Sequence, residues 1–178
     1  SLRENKVMSL KTRFGNLGNI LNFDNLTEEN IYVLDSPILT NSQFNKFKKF
    51  FSKKIKVIDC TFDISSSLKD RIEAIREETE TAVREGSTTI ILSDKNISNQ
   101  KASIPSILTV GAVHSHLVKQ GLRGYCSLNV ECSDALDTHS FAVLIGVGAT
   151  TVNPYLAIDS IYQRFEKKLF GKADFESC

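Results

Sequence analysis

The hydrophobic pattern changes character near residue 30. Before it the chain is polar and turn-rich, with Asn16, Asn19, Asn22 and Asn25 set among Gly15 and Gly18. This predicts an irregular lead-in over residues 1–40 that needs a partner surface. Residues 31–34 form a short extended apolar run. It stops at Asp35-Ser36-Pro37, where the proline ring holds Ser36 extended and opposes a helix.

Beyond this point one unit recurs. Residues 55–60 read as a buried strand, and Ser67-Leu68-Lys69-Asp70 as a capping box opening a helix. Leu68, Ile72, Ile75, Ala82 and Val83 follow at helical spacing until Gly86 stops it. Residues 88–92 are the next strand. A polar loop leads to Pro105, suited to a first helical turn, and the helix over 106–120 is apolar on most sides, which predicts burial. A third strand at 125–131, a third helix at 134–145, a fourth strand at 147–152 and a fourth helix at 154–169 complete the series. Strand starts about 33, 37 and 22 residues apart imply βα units, parallel pairing and right-handed crossovers. The fold class is therefore α/β, with about four βα units over 41–170 and a tail at 171–178. Four units make half of an eight-fold barrel or a small open sheet, whose edges further chain or another domain should cover.

Composition narrows the function classes. With 41% hydrophobic and 24% charged residues and a formal net charge of +1, nothing steers the chain globally towards nucleic acid or membrane. No apolar run approaches a membrane span, and the opening residues lack the apolar core of a secretory signal. The absence of an initiating methionine suggests a processed or recombinant fragment. Cys60, Cys126, Cys132 and Cys178 show no zinc-ligand spacing, and Cys126 and Cys132 fall at opposite ends of one predicted strand, too far apart to bridge. Reduced thiols in the cytoplasm follow.

Ligands in parallel α/β folds gather at the C-terminal ends of strands. Those positions offer Asp59, Thr61, Ser93, Asp94, Lys95, Glu131, Asn153 and Tyr155. Such a set binds a polar ligand, anchors a neighbouring domain or lines a wet passage. His114 and His116, two apart on a helix, point to different sides and cannot share a metal, so they and His139 read as structural. Gly146-Val147-Gly148 begins like a dinucleotide fingerprint, but it lacks the third glycine and joins a helix to a strand. It reads as a helix stop with close backbone packing. Lys46, Lys48, Lys49, Lys53, Lys54 and Lys56 interleave with phenylalanines, of which Phe44, Phe47 and Phe51 share a face. An amphipathic helix with a solvated lysine face is the preferred reading over a nucleic-acid interface.

An ordered set of segments resembles the glutamate synthase family. They are Val7-Met8-Ser9-Leu10-Lys11-Thr12-Arg13-Phe14-Gly15-Asn16-Leu17-Gly18-Asn19, Leu34-Asp35-Ser36-Pro37-Ile38-Leu39, Leu92-Ser93-Asp94-Lys95 and Ile104-Pro105-Ser106-Ile107-Leu108. Gly111-Ala112-Val113-His114, Gly121-Leu122-Arg123, His139-Ser140-Phe141-Ala142-Val143-Leu144-Ile145-Gly146 and Asn153-Pro154-Tyr155-Leu156-Ala157 follow in the family's order. The match resembles the later part of the large subunit's central domain, between its glutamine amidotransferase and FMN-binding domains. The resemblance implies a partial TIM-barrel-like fold, similar in topology to FMN-linked oxidoreductases but without flavin. It also implies a connecting role that couples the glutaminase site to the FMN site and helps enclose an ammonia tunnel. The parent reaction it implies converts glutamine, 2-oxoglutarate and reductant into two glutamates. FMN and an iron–sulfur cluster are expected in that parent and no cofactor or metal in this chain, with the glutaminase and FMN domains as partners. Asp59, Asp94, Lys95, Glu131, Asn153 and Tyr155 are then interdomain or tunnel-side candidates rather than catalytic ones. The alternative is an FMN- or phosphate-binding half-barrel oxidoreductase module, motivated by residues 146–151 alone.

Overall fold

The computed structural model describes residues 10–14 and 32–171. Most of the asparagine-rich lead-in, and Cys178 in the tail, lie outside the described residues. The chain divides into two units, Ser1–Pro37 and Ile38–Cys178. In the first, β1 (Thr12–Phe14) pairs antiparallel with β2 (Tyr32–Leu34), Arg13 opposite Val33.

The second unit starts with Ile38, which forms a parallel bridge to Val152, and Leu39, whose N–H donates to the Val152 carbonyl at 2.8 Å. Helix α1 (Asn41–Phe50) follows, opened by Thr40 and Gln43 in a full capping box: each side chain accepts from the other residue's backbone N–H. Then come β3 (Ile55–Asp59), β4 (Thr61–Asp63), α2 (Leu68–Arg84), β5 (Thr89–Ser93), β6 (Lys101–Ser103), α3 (Ser106–Lys119), β7 (Ser127–Glu131), α4 (Thr138–Gly146), β8 (Thr151–Asn153) and α5 (Tyr155–Glu166). Strands β3, β5, β7 and β8 form one parallel sheet in that order. Spatial order equals sequence order, as in part of a barrel, but the sheet is open.

Alternation assigns the two faces. Ile58, Ile90, Leu92, Leu128, Val130 and Val152 point to one side and form the main core with Ile75, Ala82 and Val83 of α2, Val110, Val113 and Leu117 of α3, and Leu144 of α4. Each large aliphatic side chain buried this way contributes about 1.5–3 kcal/mol. The opposite side carries Val57, Asp59, Ile91, Ser93, Asn129, Glu131, Thr151 and Asn153. Helix α1 lies on that side, because its Lys48 and Asn41 reach Glu131 and Asn153. Its Phe44 and Phe47 are fully buried, yet belong to no part of the main core. At the centre of this second face the buried Asn129 amide donates to the Ile90 carbonyl and to Ser127 Oγ, while its oxygen accepts from Thr151. An amide with all these bonds made ties three strands together at little desolvation cost.

The structure corrects the sequence reading in several places. Strand β3 is an edge strand, with Lys56 exposed and Val57 52% exposed, rather than a buried one. Helix α3 buries one side only: Ile107, Leu108 and Val118 are 44%, 49% and 55% exposed. Sequence shows that α3 is apolar around its circumference, but not how much of that circumference has neighbours. Strands β4 and β6 form an antiparallel ribbon, β6 within the stretch read as a polar loop and β4 where the sequence pattern predicts no element. Ser67 accepts from the Asp70 N–H at 3.4 Å, but the reciprocal half of the expected box is absent. Aspartate is one methylene shorter than the glutamate that usually completes it. Tyr125 belongs to a 3-10 turn before β7, and α4 begins only at Thr138, after Asp137 has capped it.

Candidate functional site

Register places Asp59, Ser93, Glu131 and Asn153 side by side in one row at the C-terminal ends of the four parallel strands. Their side chains share the second face, and each is already engaged. Glu131 is the centre of the row. Its Oε2 accepts from Ser93 Oγ at 2.7 Å, while Oε1 accepts from Lys48 Nζ at 3.2 Å and from Lys95 Nζ at 3.0 Å. Burial alone would raise the Glu131 carboxyl. The Ser93 hydroxyl and the two ammonium groups outweigh burial and hold the carboxyl below its ordinary value. The Lys95 ammonium also sits 5.1 Å above the Tyr155 ring, a stacking contact worth about 0.5–1 kcal/mol where partly exposed.

Asn153 donates to the Leu39 carbonyl and to Asn41 Oδ1, both at 2.9 Å. Asp59 belongs to a separate group. Its Oδ1 accepts from the Thr61 N–H and hydroxyl, and its Oδ2 accepts from Asn96 at 3.0 Å with Lys101 at 3.8 Å. Here too burial pushes the carboxyl up, and these bonds more than reverse it.

Asp94 is one residue past Ser93 and therefore points to the other side of the sheet. Its Oδ2 accepts from the Ser133 N–H and hydroxyl and from Ser103 Oγ; its Oδ1 is buried without a hydrogen bond. Tyr155 lies beside Asp94 and Ser133. Its hydroxyl is pushed up to about 12, first by burial and then by the Asp94 charge.

The structure thus gathers Glu131, Lys95 and Tyr155 with Asp94 next to them, places Asn153 in the same row, and sets Asp59 in a neighbouring cluster. Lys48 was missed as a site residue, having been grouped with the solvated lysines. The signal was present: Phe44, Phe47, Lys48 and Phe51 stand at i, i+3, i+4 and i+7, so Lys48 belongs to the inward stripe.

What this arrangement can do chemically is limited. Glu131 is a weak base here, since both its oxygens already accept hydrogen bonds and its carboxyl is held below its ordinary value. The Cys60 and Cys132 thiols are pushed up to about 12, chiefly by burial, so neither is a thiolate near neutrality. These two and Cys126 are free. Next to the row lies a cavity of about 10 Å³, lined by Cys60, Asp94, Ser106, Thr109, Glu131 and Cys132 among others. It has room for about one water. A larger open cleft of about 400 Å³, lined by Val83, Arg84, Gly86, Ser87, Thr88, Leu122 and Tyr125, lies at the opposite ends of the strands. Among the described residues no three His, Cys, Asp or Glu side chains gather as metal ligands, and no helix is long and apolar enough to cross a membrane.

Two of the histidines, His114 and His116, hold structure together, whereas His139 is exposed in the first turn of α4. His116 Nε2 lies 2.6 Å from Glu80 Oε2, linking α3 to α2. His114 Nδ1 accepts from Arg123 Nε at 3.1 Å, and Arg123 also donates to the Cys126 and Gly148 carbonyls. Gly148 has φ +122°, and a Cβ there would stand 2.4 Å from the His114 ring. The Gly146–Gly148 turn is therefore occupied by a side chain of its own protein, and its glycine serves close packing.

Comparison with known proteins identifies the family. The family model "Glutamate synthase central domain" matches residues 1–177. The chain is 49% identical over 179 residues to the large chain of an NADPH glutamate synthase from Azospirillum brasilense, covering 99% of this chain and 12% of that protein. It is 36% identical over 168 residues to a chloroplastic ferredoxin-dependent glutamate synthase from Spinacia oleracea, covering 91% of this chain and 10% of the relative. For the large chain of an NADPH glutamate synthase from Bacillus subtilis the identity is 36% over 173 residues, covering 94% and 11%. The chain therefore spans about a tenth of the length of these relatives. It belongs to the glutamate synthase central domain family.

Proposed function

We propose that this domain is a non-catalytic connector: it holds the glutaminase and FMN domains of a longer polypeptide at fixed separation and forms part of the wall of the ammonia route between them. The parent would convert glutamine, 2-oxoglutarate and reductant into two glutamates. One observation carries the reading. Asp59, Ser93, Glu131 and Asn153, the side chains best placed for catalysis in a barrel-like sheet, are all hydrogen-bonded within the domain. A row engaged in this way keeps its geometry, and its carboxyls, held below their ordinary values, carry no proton near neutrality to give to ammonia, which must stay unprotonated to act as a nucleophile.

The alternative, a flavin- or phosphate-binding half barrel, draws no support from the loop that motivated it. A phosphate cradle needs backbone N–H groups opening a helix after a strand, whereas Gly146–Gly148 ends α4 and packs on His114. The FMN and iron–sulfur cluster of the parent belong to other parts of the polypeptide on this reading.

The test is made in the full-length polypeptide, by following glutamine hydrolysed against glutamate formed. Glu131→Gln and Asn153→Ala are expected to raise hydrolysis relative to glutamate formation. Full coupling across both variants would remove the ammonia-route role.

A further inference from the structure

The two edges of the parallel sheet are finished differently. Beside β8 the domain's own Ile38 and Leu39 pair with Val152. On the side of β3 away from β5, among the described residues, no strand pairs. Two bonds fix the phase of the β3 ladder: the Thr89 N–H donates to the Lys54 carbonyl, and the Cys60 N–H donates to the Ser93 carbonyl. Peptide groups of a strand face alternate neighbours, so the Lys54 carbonyl, the peptide groups of Lys56 and Ile58 and the Cys60 N–H face β5, and the peptide groups of Ile55, Val57 and Asp59 face outward. Arg71 Nη2 occupies the outward Asp59 carbonyl. This caps the far end and leaves the peptide groups of Ile55 and Val57, with the Asp59 N–H, as an open ladder. At its start and along it stand Lys53, Lys54 and Lys56, all exposed, and Lys46 and Lys49 are exposed on the helix that leads into it. No acidic residue occurs between residues 41 and 58. Of the lysines in this stretch, Lys48 alone is ion-paired with a described residue.

We infer that the outer edge of β3 is a docking site for an acidic extended peptide segment, which joins the sheet as an additional strand. Open peptide donors and acceptors in alternation are matched by another peptide backbone, and phosphodiesters supply no donors to complete such a ladder. The lysines set the preference. A second copy of this edge would bring Lys54 and Lys56 against the same residues and be repelled, whereas glutamates alternating along a strand would meet them. The inference rests on the edge geometry and the local charge, and stands whether or not the domain shapes an ammonia route.

The test titrates the 178-residue chain with a fluorescent peptide of alternating glutamate and valine, about five to seven residues long as in an ordinary strand. Fluorescence anisotropy and residue-resolved amide exchange are the readouts. Saturable binding is expected, with exchange slowed at Ile55, Val57 and Asp59. Val57→Pro removes only an outward donor, which an edge tolerates, and should weaken binding about tenfold, the value of roughly one hydrogen bond. Replacing Lys53, Lys54 and Lys56 together by Gln should weaken binding and flatten its salt dependence. Against the unmodified chain, the same peptide N-methylated at alternate residues should bind in one methylation phase and fail in the other, a check that does not depend on any variant folding. No binding, equal binding of a lysine–valine peptide, or binding without protection at Val57 would overturn the inference.

Discussion

Lys48 and Glu131, 83 residues apart in sequence, meet at 3.2 Å and tie the helix that precedes the sheet to one of its interior strands. Lys95 shares the same carboxylate oxygen, so one buried acid organises two lysines from different elements. Removing the acid should therefore cost more than removing either base.

Glu131→Ala is expected to destabilise the domain by about 1–3 kcal/mol, because it leaves Ser93 and two ammonium groups without their acceptor. Lys48→Met should cost less than about 1 kcal/mol, since Lys95 and Ser93 remain and Lys48 is partly exposed. Urea unfolding of both variants measures the difference, and equal losses would contradict the central place of Glu131.

Acid should unfold the domain through its paired carboxyls. Glu131 and Asp59 are held below their ordinary values of 4.5 and 3.8. A depressed carboxyl contributes stability that is fully present above its unfolded value and lost as pH falls through the folded one. The unfolding free energy should thus be flat near neutrality and fall once pH drops below about 4.5. In Glu131→Gln part of that slope should vanish; an unchanged slope would show that the carboxyl gains nothing on folding.

Gly148→Ala should be among the most damaging small substitutions, about 2–4 kcal/mol, since it combines a left-handed backbone with a methyl driven into the His114 ring. Adding His114→Ala opens space and should recover part of the loss despite removing the Arg123 contact. Thermal unfolding of the two single variants and the double variant gives the coupling. Strict additivity would mean that backbone strain alone is responsible.

The two helix starts make a matched comparison. Thr40→Ala removes two side-chain bonds, from the Gln43 N–H at 3.3 Å and to Gln43 Oε1 at 3.1 Å, and should cost about 1 kcal/mol, while Ser67→Ala removes one bond at 3.4 Å and should cost less. Denaturant midpoints of the two variants order them, and the reverse order would show that the box contributes little.

The βα rhythm was legible because α2 and strands β5 and β7 bury long stretches of regular spacing, and periodicity reports burial. The β4–β6 ribbon was not, since three-residue strands are too short to show alternation. The edge position of β3 was also hidden: Ile55, Val57 and Ile58 read as a core strand, and sequence alone does not show which strand has a neighbour on one side only. Among the candidate residues, the strand-end positions Glu131, Asn153 and Asp59 do stand in one row of the sheet. Pairing was out of reach, because whether Lys95 or Lys101 meets Glu131 depends on how the connecting loops fold back.

Helix α1 has a consequence for how such a sheet could have been elaborated. The other inter-strand helices, α2, α3 and α4, lie on the face that would become the outside of a rolled-up cylinder, but α1 lies on the face that would become its lumen. Doubling this unit into an eight-stranded barrel would first require expelling α1, with its buried Phe44 and Phe47 and its grip on Glu131. Retaining that helix commits the lineage to an open sheet.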